Sequence, residues 1–200
     1  MKRTVEDFWQ WFADNKELLM DIDSLEESEA EAVLLNFDEI LKSYSEGLDF
    51  EIGDLTTNGR TLLLTTNGNE DFFDDVFNLY DNAPILDFWE ILPLRQAQGP
   101  IAKIHYGKYR YNSKNLFFVP LESEQEEDKI GIKVGLTDYH ADDEEQLIAV
   151  YSLIEAMIGE YDCATMIGYF ELCLLPDQVQ ETDFIPLLDL PEFISWKTKK

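Results

Sequence analysis

His105 and His140 are the only histidines in this chain, and they limit any imidazole chemistry it could perform. His140 is the more suggestive of the two, because Asp138, Asp142, Asp143 and Glu144 surround it in one short stretch. Carboxylates together with an imidazole can hold a divalent cation, so a metal-dependent hydrolase using Asp138, His140, Asp142 and Asp143 is one expectation. The spacing departs from a calcium-binding EF-hand loop, since Asp143 stands where that loop needs glycine and Ala149 where it needs a bidentate glutamate. Asn67, Asn69 and Asp71 begin in the same way, but Phe72 and Asn78 occupy the corresponding positions. Helix capping is the competing explanation of both clusters. Nucleophile-elbow, zinc-protease and phosphate-loop patterns are absent, as is the dinucleotide fingerprint. Carboxylate pairs carry no information about acid–base catalysis here, because among 42 acidic residues some must pair by chance.

A second group is cationic. Arg95 to Lys114 contains five basic residues and no acid, whereas the rest of the chain sets ten basic against 42 acidic residues, a net charge of -32. Within that band Lys103, His105, Lys108, Tyr109, Arg110 and Tyr111 combine charge with aromatic surface, the composition that protein interfaces favour. The same mixture suits single-stranded nucleic acid, but phosphate neutralisation dominates that affinity and the surrounding charge opposes it. The bland reading is a strand pair that neutralises acidic neighbours.

The whole chain of 200 residues has a formal net charge of -27, so binding to duplex nucleic acid or to an anionic membrane is disfavoured. Cys163 and Cys173 stand without a partnered spacing, which points to neither a disulfide framework nor a thiolate zinc site. Glu6 and Asp7 follow Lys2 and Arg3 at once, with no apolar run behind them, so no secretory signal is expected. No stretch approaches a membrane span in apolar length. The expected location is the cytoplasm, and no cofactor is expected.

These groups must be positioned by elements that the hydrophobic pattern outlines. Thr4 with Asp7 predicts a capped helix carrying Phe8, Trp9, Trp11, Phe12, Leu18 and Leu19, an aromatic face that must dock on its own chain or on a second subunit. A homodimer through the Trp9 and Trp11 helix is therefore a further expectation. Ser24 and Ser28 are candidate caps for a second helix, which Gly47 would end. Leu48, Phe50 and Ile52 alternate with acids, Asn58-Gly59 marks a hairpin turn, and Leu62 to Leu64 lie on the return strand. Phe72 to Tyr80 predicts a helix stopped by Ala83-Pro84, and Phe88 to Leu94 a strand with bulky residues on both faces, hence central. After a turn-like join at Gln96 to Pro100, Lys103 to Tyr111 reads as a strand with Gly107 as a bulge. Leu116 to Leu121 and a one-sided strand from Ile130 to Leu136 flank a solvated acidic loop, Glu122 to Asp128. Asp142 with Glu145 caps a helix that Gly159 ends, Ile167 to Leu175 is the last strand, and the tail beyond Pro176 reads as irregular.

Leu48 to Leu94 and Leu116 to Leu175 share the order strand, strand, helix, strand, so an internal pseudo-repeat is a further expectation. Short hairpin turns require antiparallel pairs, and one-sided alternation places helices on one face. The expected fold class is α+β: a two-layer sandwich with a mainly antiparallel sheet. It is expected as a single domain over 1–200, with a helical segment over 1–47, a sheet-and-helix body over 48–175 and a tail over 176–200.

In the F-W-Q-W-F of Phe8 to Phe12, the G-L-D-F-E-I-G of Gly47 to Gly53, the helix ending in Ala83-Pro84 and the I-P-L-L-D-L-P of Ile185 to Pro191, the chain resembles small acidic bacterial proteins of unknown function. That resemblance implies a bacterial cytoplasmic protein and carries over no catalytic residues. The acidity is also similar to that of immunity proteins and nuclease inhibitors that mimic nucleic-acid charge. The leading functional expectation is a non-enzymatic module that binds a basic protein.

Overall fold

The computed structural model describes residues 3–121 and 128–197, so most of the acidic loop expected over Glu122 to Asp128 lies outside the described residues. The chain forms two compact units, Met1–Arg95 and Gln96–Lys200. The boundary falls at the Gln96 to Pro100 join, and it divides the body expected over 48–175 between the units. Among the described residues there are six helices and three small sheets, a mixed α+β fold rather than one continuous sheet.

In the first unit, Thr4 opens α1 (Val5–Met20) with the expected capping box: its hydroxyl accepts from the Asp7 N–H, and the Asp7 carboxylate accepts from the Thr4 N–H. Phe8, Trp9, Phe12 and Leu19 form the buried stripe of this helix. Opposite it, α2 (Glu27–Tyr44) contributes Phe37, whose ring stacks on Trp11 at 5.5 Å and also touches Phe8 and Phe12. The Trp9 indole N–H donates to the Leu79 carbonyl at 2.9 Å. Trp9 and Trp11 thus both find partners within their own unit, while Leu18 of the same helix stays exposed. Neither expected serine caps α2. Its N-cap is Glu26, because Ser24 is drawn into a short 3-10 turn over Ile22–Ser24.

β1 (Asp49–Ile52) and β2 (Arg60–Thr65) form an antiparallel pair, and β3 (Trp89–Pro93) runs parallel to β2 after the crossover through α3 (Phe73–Asp81). The strand order β1-β2-β3 corrects one expectation: β2 is central and β3 is an edge. Apolar side chains on both faces of β3 reflect its packing rather than pairing on both sides. Gly59 has φ 106°, and reciprocal hydrogen bonds join it to Thr56, so Thr57 and Asn58 form the turn and the glycine follows it. Gly47 does not end α2 through a left-handed backbone. It is instead required by Phe72, whose ring would lie 2.1 Å from a Cβ at that position.

The second unit begins with a hairpin where one bulged strand was expected. β4 (Lys103–Tyr106) and β5 (Tyr109–Asn112) pair through the turn Gly107-Lys108, with φ 54° at the glycine, as the first position of a II′ turn requires. β6 (Phe117–Leu121), β7 (Ile130–Leu136) and β8 (Ile167–Leu174) then form a mixed sheet with β9 (Ile185–Pro186) in the order β8-β7-β6-β9. β7 is closed over on most of its second face too, because Gly131 and Gly135 let Leu121 and Leu175 pack closely, while Lys133 between them stays part-exposed and pairs with Glu171. α4 (Glu144–Ile158) ends at Gly159 as expected, and a short α5 (Glu160–Met166), which the hydrophobic pattern does not announce, leads into β8. The tail is not irregular: β9 pairs with β6, and α6 (Leu190–Lys197) buries Leu190 and Ile194 in the core of the unit.

Both units contain the same topological element. β1-β2-α3-β3 and β6-β7-α4-α5-β8 each make an antiparallel hairpin whose second strand takes a parallel third strand after a helical crossover. This is the arrangement that the strand-strand-helix-strand echo in the sequence outlines.

Arg60 ties the first unit together. Its side chain is 2% exposed; Nε donates to the Met20 carbonyl at 2.7 Å, Nη1 to the Gly53 carbonyl at 2.8 Å, and Nη2 pairs with Asp23. Replacing it leaves two part-buried carbonyls without their partner and Asp23 without its cation, so Arg60→Leu is expected to lower unfolding stability by about 3 kcal/mol. Asp23→Asn, at the exposed end of the pair, should cost less than about 1 kcal/mol. Urea denaturation of the two variants checks the difference.

Candidate functional site

Antiparallel pairing places Lys103, His105 and Arg110 together on the outer face of the β4–β5 hairpin, where all three are exposed. Ile104, Tyr109 and Tyr111 point the other way, and the two tyrosine rings stack 5.8 Å apart. The six residues named as one cationic binding group therefore divide: three face solvent, Tyr109 and Tyr111 are buried, and Lys108 sits in the turn.

The buried half meets the acidic cluster at the start of α4. Tyr109 Oη donates to Asp143 Oδ2 at 2.6 Å, and Lys108 Nζ lies 3.1 Å from the same oxygen. The other Asp143 oxygen accepts from the Gln146 N–H at 3.1 Å, which makes Asp143, rather than Asp142, the N-cap of α4. Asp142 takes a left-handed backbone, φ 61°, just before the cap. Tyr111 Oη lies 3.3 Å from Asp138 Oδ2 and accepts from Gln146 Nε2 at 2.7 Å. Gln146 Nε2 also donates to the Asp138 carbonyl at 2.9 Å, while its Oε1 accepts from the His140 N–H at 2.8 Å. Two sequence regions that suggested separate sites, Lys108 to Tyr111 and Asp138 to Asp143, thus form one network centred on the fully buried Gln146.

The electrostatics of this network follow from its contacts. Hydrogen bonds from Tyr109, Lys108 and the Gln146 N–H hold Asp143 ionised and lower its pKa to about 2. Burial, with Asp138 nearby, pushes the Tyr111 phenol up to about 12. The hydrogen bond to Asp143 raises Lys108. None of these shifts brings a group near neutrality, where a general acid or base would be poised. Burial also pushes the Cys163 thiol up to about 12, away from the thiolate that nucleophilic attack requires.

Beside the network a groove of about 410 Å³ is lined by His140, Asp142, Asp143 and Glu144, with Tyr139 and Phe170 among its walls. Among the described residues no group of three or more His, Cys, Asp or Glu side chains is arranged to hold a metal ion. Of the four residues expected as ligands, Asp143 is fully engaged as cap and ion-pair partner, and Asp138 is shared with Tyr111. The arrangement can orient the hairpin on α4 and present carboxylates at a groove edge.

Gln146 is the residue that sequence reading did not single out. Its signal was available in Asp143-x-x-Gln146, an N-cap followed three residues later by glutamine. The reach of its side chain to His140 and Tyr111 was not available, because it depends on the hairpin lying against α4. Compared with protein-family models, curated proteins and solved structures, the chain matches none.

Gln146→Leu keeps the volume of the side chain but leaves the His140 N–H, the Asp138 carbonyl and Tyr111 Oη without their partner. It is expected to destabilise the protein by about 2–4 kcal/mol in urea unfolding. The depressed pKa of Asp143 has a defined pH window. Its contribution is complete above the ordinary carboxylate value of about 3.9 and is lost as pH falls through about 2. Asp143→Asn should therefore lose less stability than the wild type when unfolding is compared at about pH 4 and about pH 2.

Proposed function

We propose that this chain is a non-enzymatic protein-binding module whose acidic surface selects a basic partner, with an inhibitor or immunity protein as one concrete form. The supporting observation is the charge of Met1–Arg95, where 23 acidic side chains stand against six basic ones, a net charge of -17. Of those six, Lys42, Arg60 and Arg95 are already paired with carboxylates of the same unit. Those pairs neutralise as many carboxylates as cations, so the net charge of -17 is unchanged, and it would steer a cationic protein at long range. Among the described residues no helix is long and apolar enough to cross a membrane. The hydrolase reading lacks comparable support, because Asp143 and Asp138 are engaged in the network around Gln146.

The test is capture from a cell lysate at low ionic strength, followed by stopped-flow kinetics on the purified pair. A partner more basic than the lysate background is expected, with an association rate that falls about tenfold between low and physiological salt. Recovery of nothing more basic than background at low salt would overturn the proposal.

A further inference from the structure

Phe88 combines a strained backbone with an exposed ring. Its φ is 64°, a region that bulky residues enter only under constraint and that glycine occupies without strain. The constraint is local. The Arg60 N–H donates to the Phe88 carbonyl at 2.9 Å, and that carbonyl approaches Gly59 so closely that a Cβ there would lie 1.8 Å from it. The start of β2 thus holds the backbone at Phe88, yet the side chain is 69% exposed and adds little to the core. Strain kept for an exposed aromatic points to recognition rather than stability.

Two further apolar side chains of the adjoining loops are exposed. Ile85, in the same loop, is fully exposed, and Leu55, in the neighbouring β1–β2 turn, is 53% exposed. Where the loop leaves α3, a groove of about 310 Å³ is lined by Trp9 and Ala13 of α1 and by Pro84. Charge identifies what can cover these residues. Between Ser43 and Leu94 the only basic side chain is Arg60, which is buried and paired with Asp23. Asp54, Asp87 and Glu90, all exposed, flank Leu55 and Phe88 in sequence, and exposed Asp81 lies at the end of α3. Anionic lipid or nucleic-acid phosphate would be repelled by loops of this charge.

We infer that Leu55, Ile85 and Phe88 form the docking site for a cationic amphipathic segment of the partner, which sets apolar side chains on Ile85 and Phe88 and lysine or arginine side chains against Asp54, Asp87 and Glu90. The inference rests on the proposed acidic binding module and assigns its contact surface. Apolar anchors inside a charged rim are the usual energetic centre of an interface.

Calorimetry at low salt with two synthetic probes tests it: an amphipathic lysine–leucine peptide, and an oligolysine of equal charge. The wild type is expected to bind the lysine–leucine peptide more tightly. The double variant Ile85→Ser, Phe88→Gly should lose about tenfold or more of that affinity while binding oligolysine unchanged. Phe88→Gly alone relieves the left-handed strain, so its thermal midpoint should not fall, which separates lost binding from lost folding. Unchanged affinity of the double variant for the lysine–leucine peptide would overturn the site, with the acidic-module reading still supported by oligolysine binding. Failure of the wild type to bind either peptide would overturn both. A fall in the midpoint of Phe88→Gly would make the ring structural, and tight binding of the wild type to anionic phosphatidylglycerol vesicles would replace the protein segment with a membrane; either result overturns the inference.

Discussion

Each unit depends on a middle strand paired on both edges. In the first it is β2, hydrogen-bonded to antiparallel β1 on one side and parallel β3 on the other; in the second it is β7, between β6 and β8. A strand in that position must satisfy its backbone entirely through neighbours, and its side chains meet packed layers rather than water. Leu62 and Leu64 of β2 and Ile130, Ile132, Val134 and Leu136 of β7 are accordingly buried. In β7 glycines on the alternate positions let neighbouring side chains close over most of the second face. In both units the helices that return the chain to a parallel third strand pack on this framework, since a parallel connection requires a crossover.

Two buried polar side chains then join elements that hydrophobic packing alone would leave loosely registered. Arg60 connects the end of α1 and the turn after it to the β1–β2 hairpin, through two carbonyls and Asp23. Gln146 does the equivalent in the second unit, linking the β4–β5 hairpin, the segment after β7 and the first turn of α4. In each case the polar group is acceptable inside because its hydrogen-bonding capacity is used, and each makes the local geometry specific. This also explains why Asp138 and Asp143 carry structure: their oxygens are partners in the network before any ligand arrives.

The remaining acidity is a property of the surface. A charge of -27 on 200 residues opposes compaction through self-repulsion and exceeds what keeping a protein dispersed requires. The exposed, strained Phe88 and the exposed Ile85 both lie in the more acidic unit.

Much of this was legible in the chain itself, where local physics suffices. The Thr4–Asp7 capping box, the β1–β2 pair, the helix before Ala83-Pro84, the Gly159 stop and the repeated strand-strand-helix-strand order all follow from periodicity, caps and turn residues within a few positions of one another. The charge and its cation-rich band are also properties of sequence alone. Tertiary structure decided what depends on distant partners. It made β3 an edge and β7 a two-sided strand, turned Gly107 into a hairpin turn, and drew the tail into β9 and α6. It merged the Tyr109 and Asp143 regions around Gln146 and turned Phe88 outward from a strained backbone. The division has a physical reason: caps and turns involve neighbours along the chain, whereas burial of a second face, or the reach of one buried amide, is set by segments that meet only after folding.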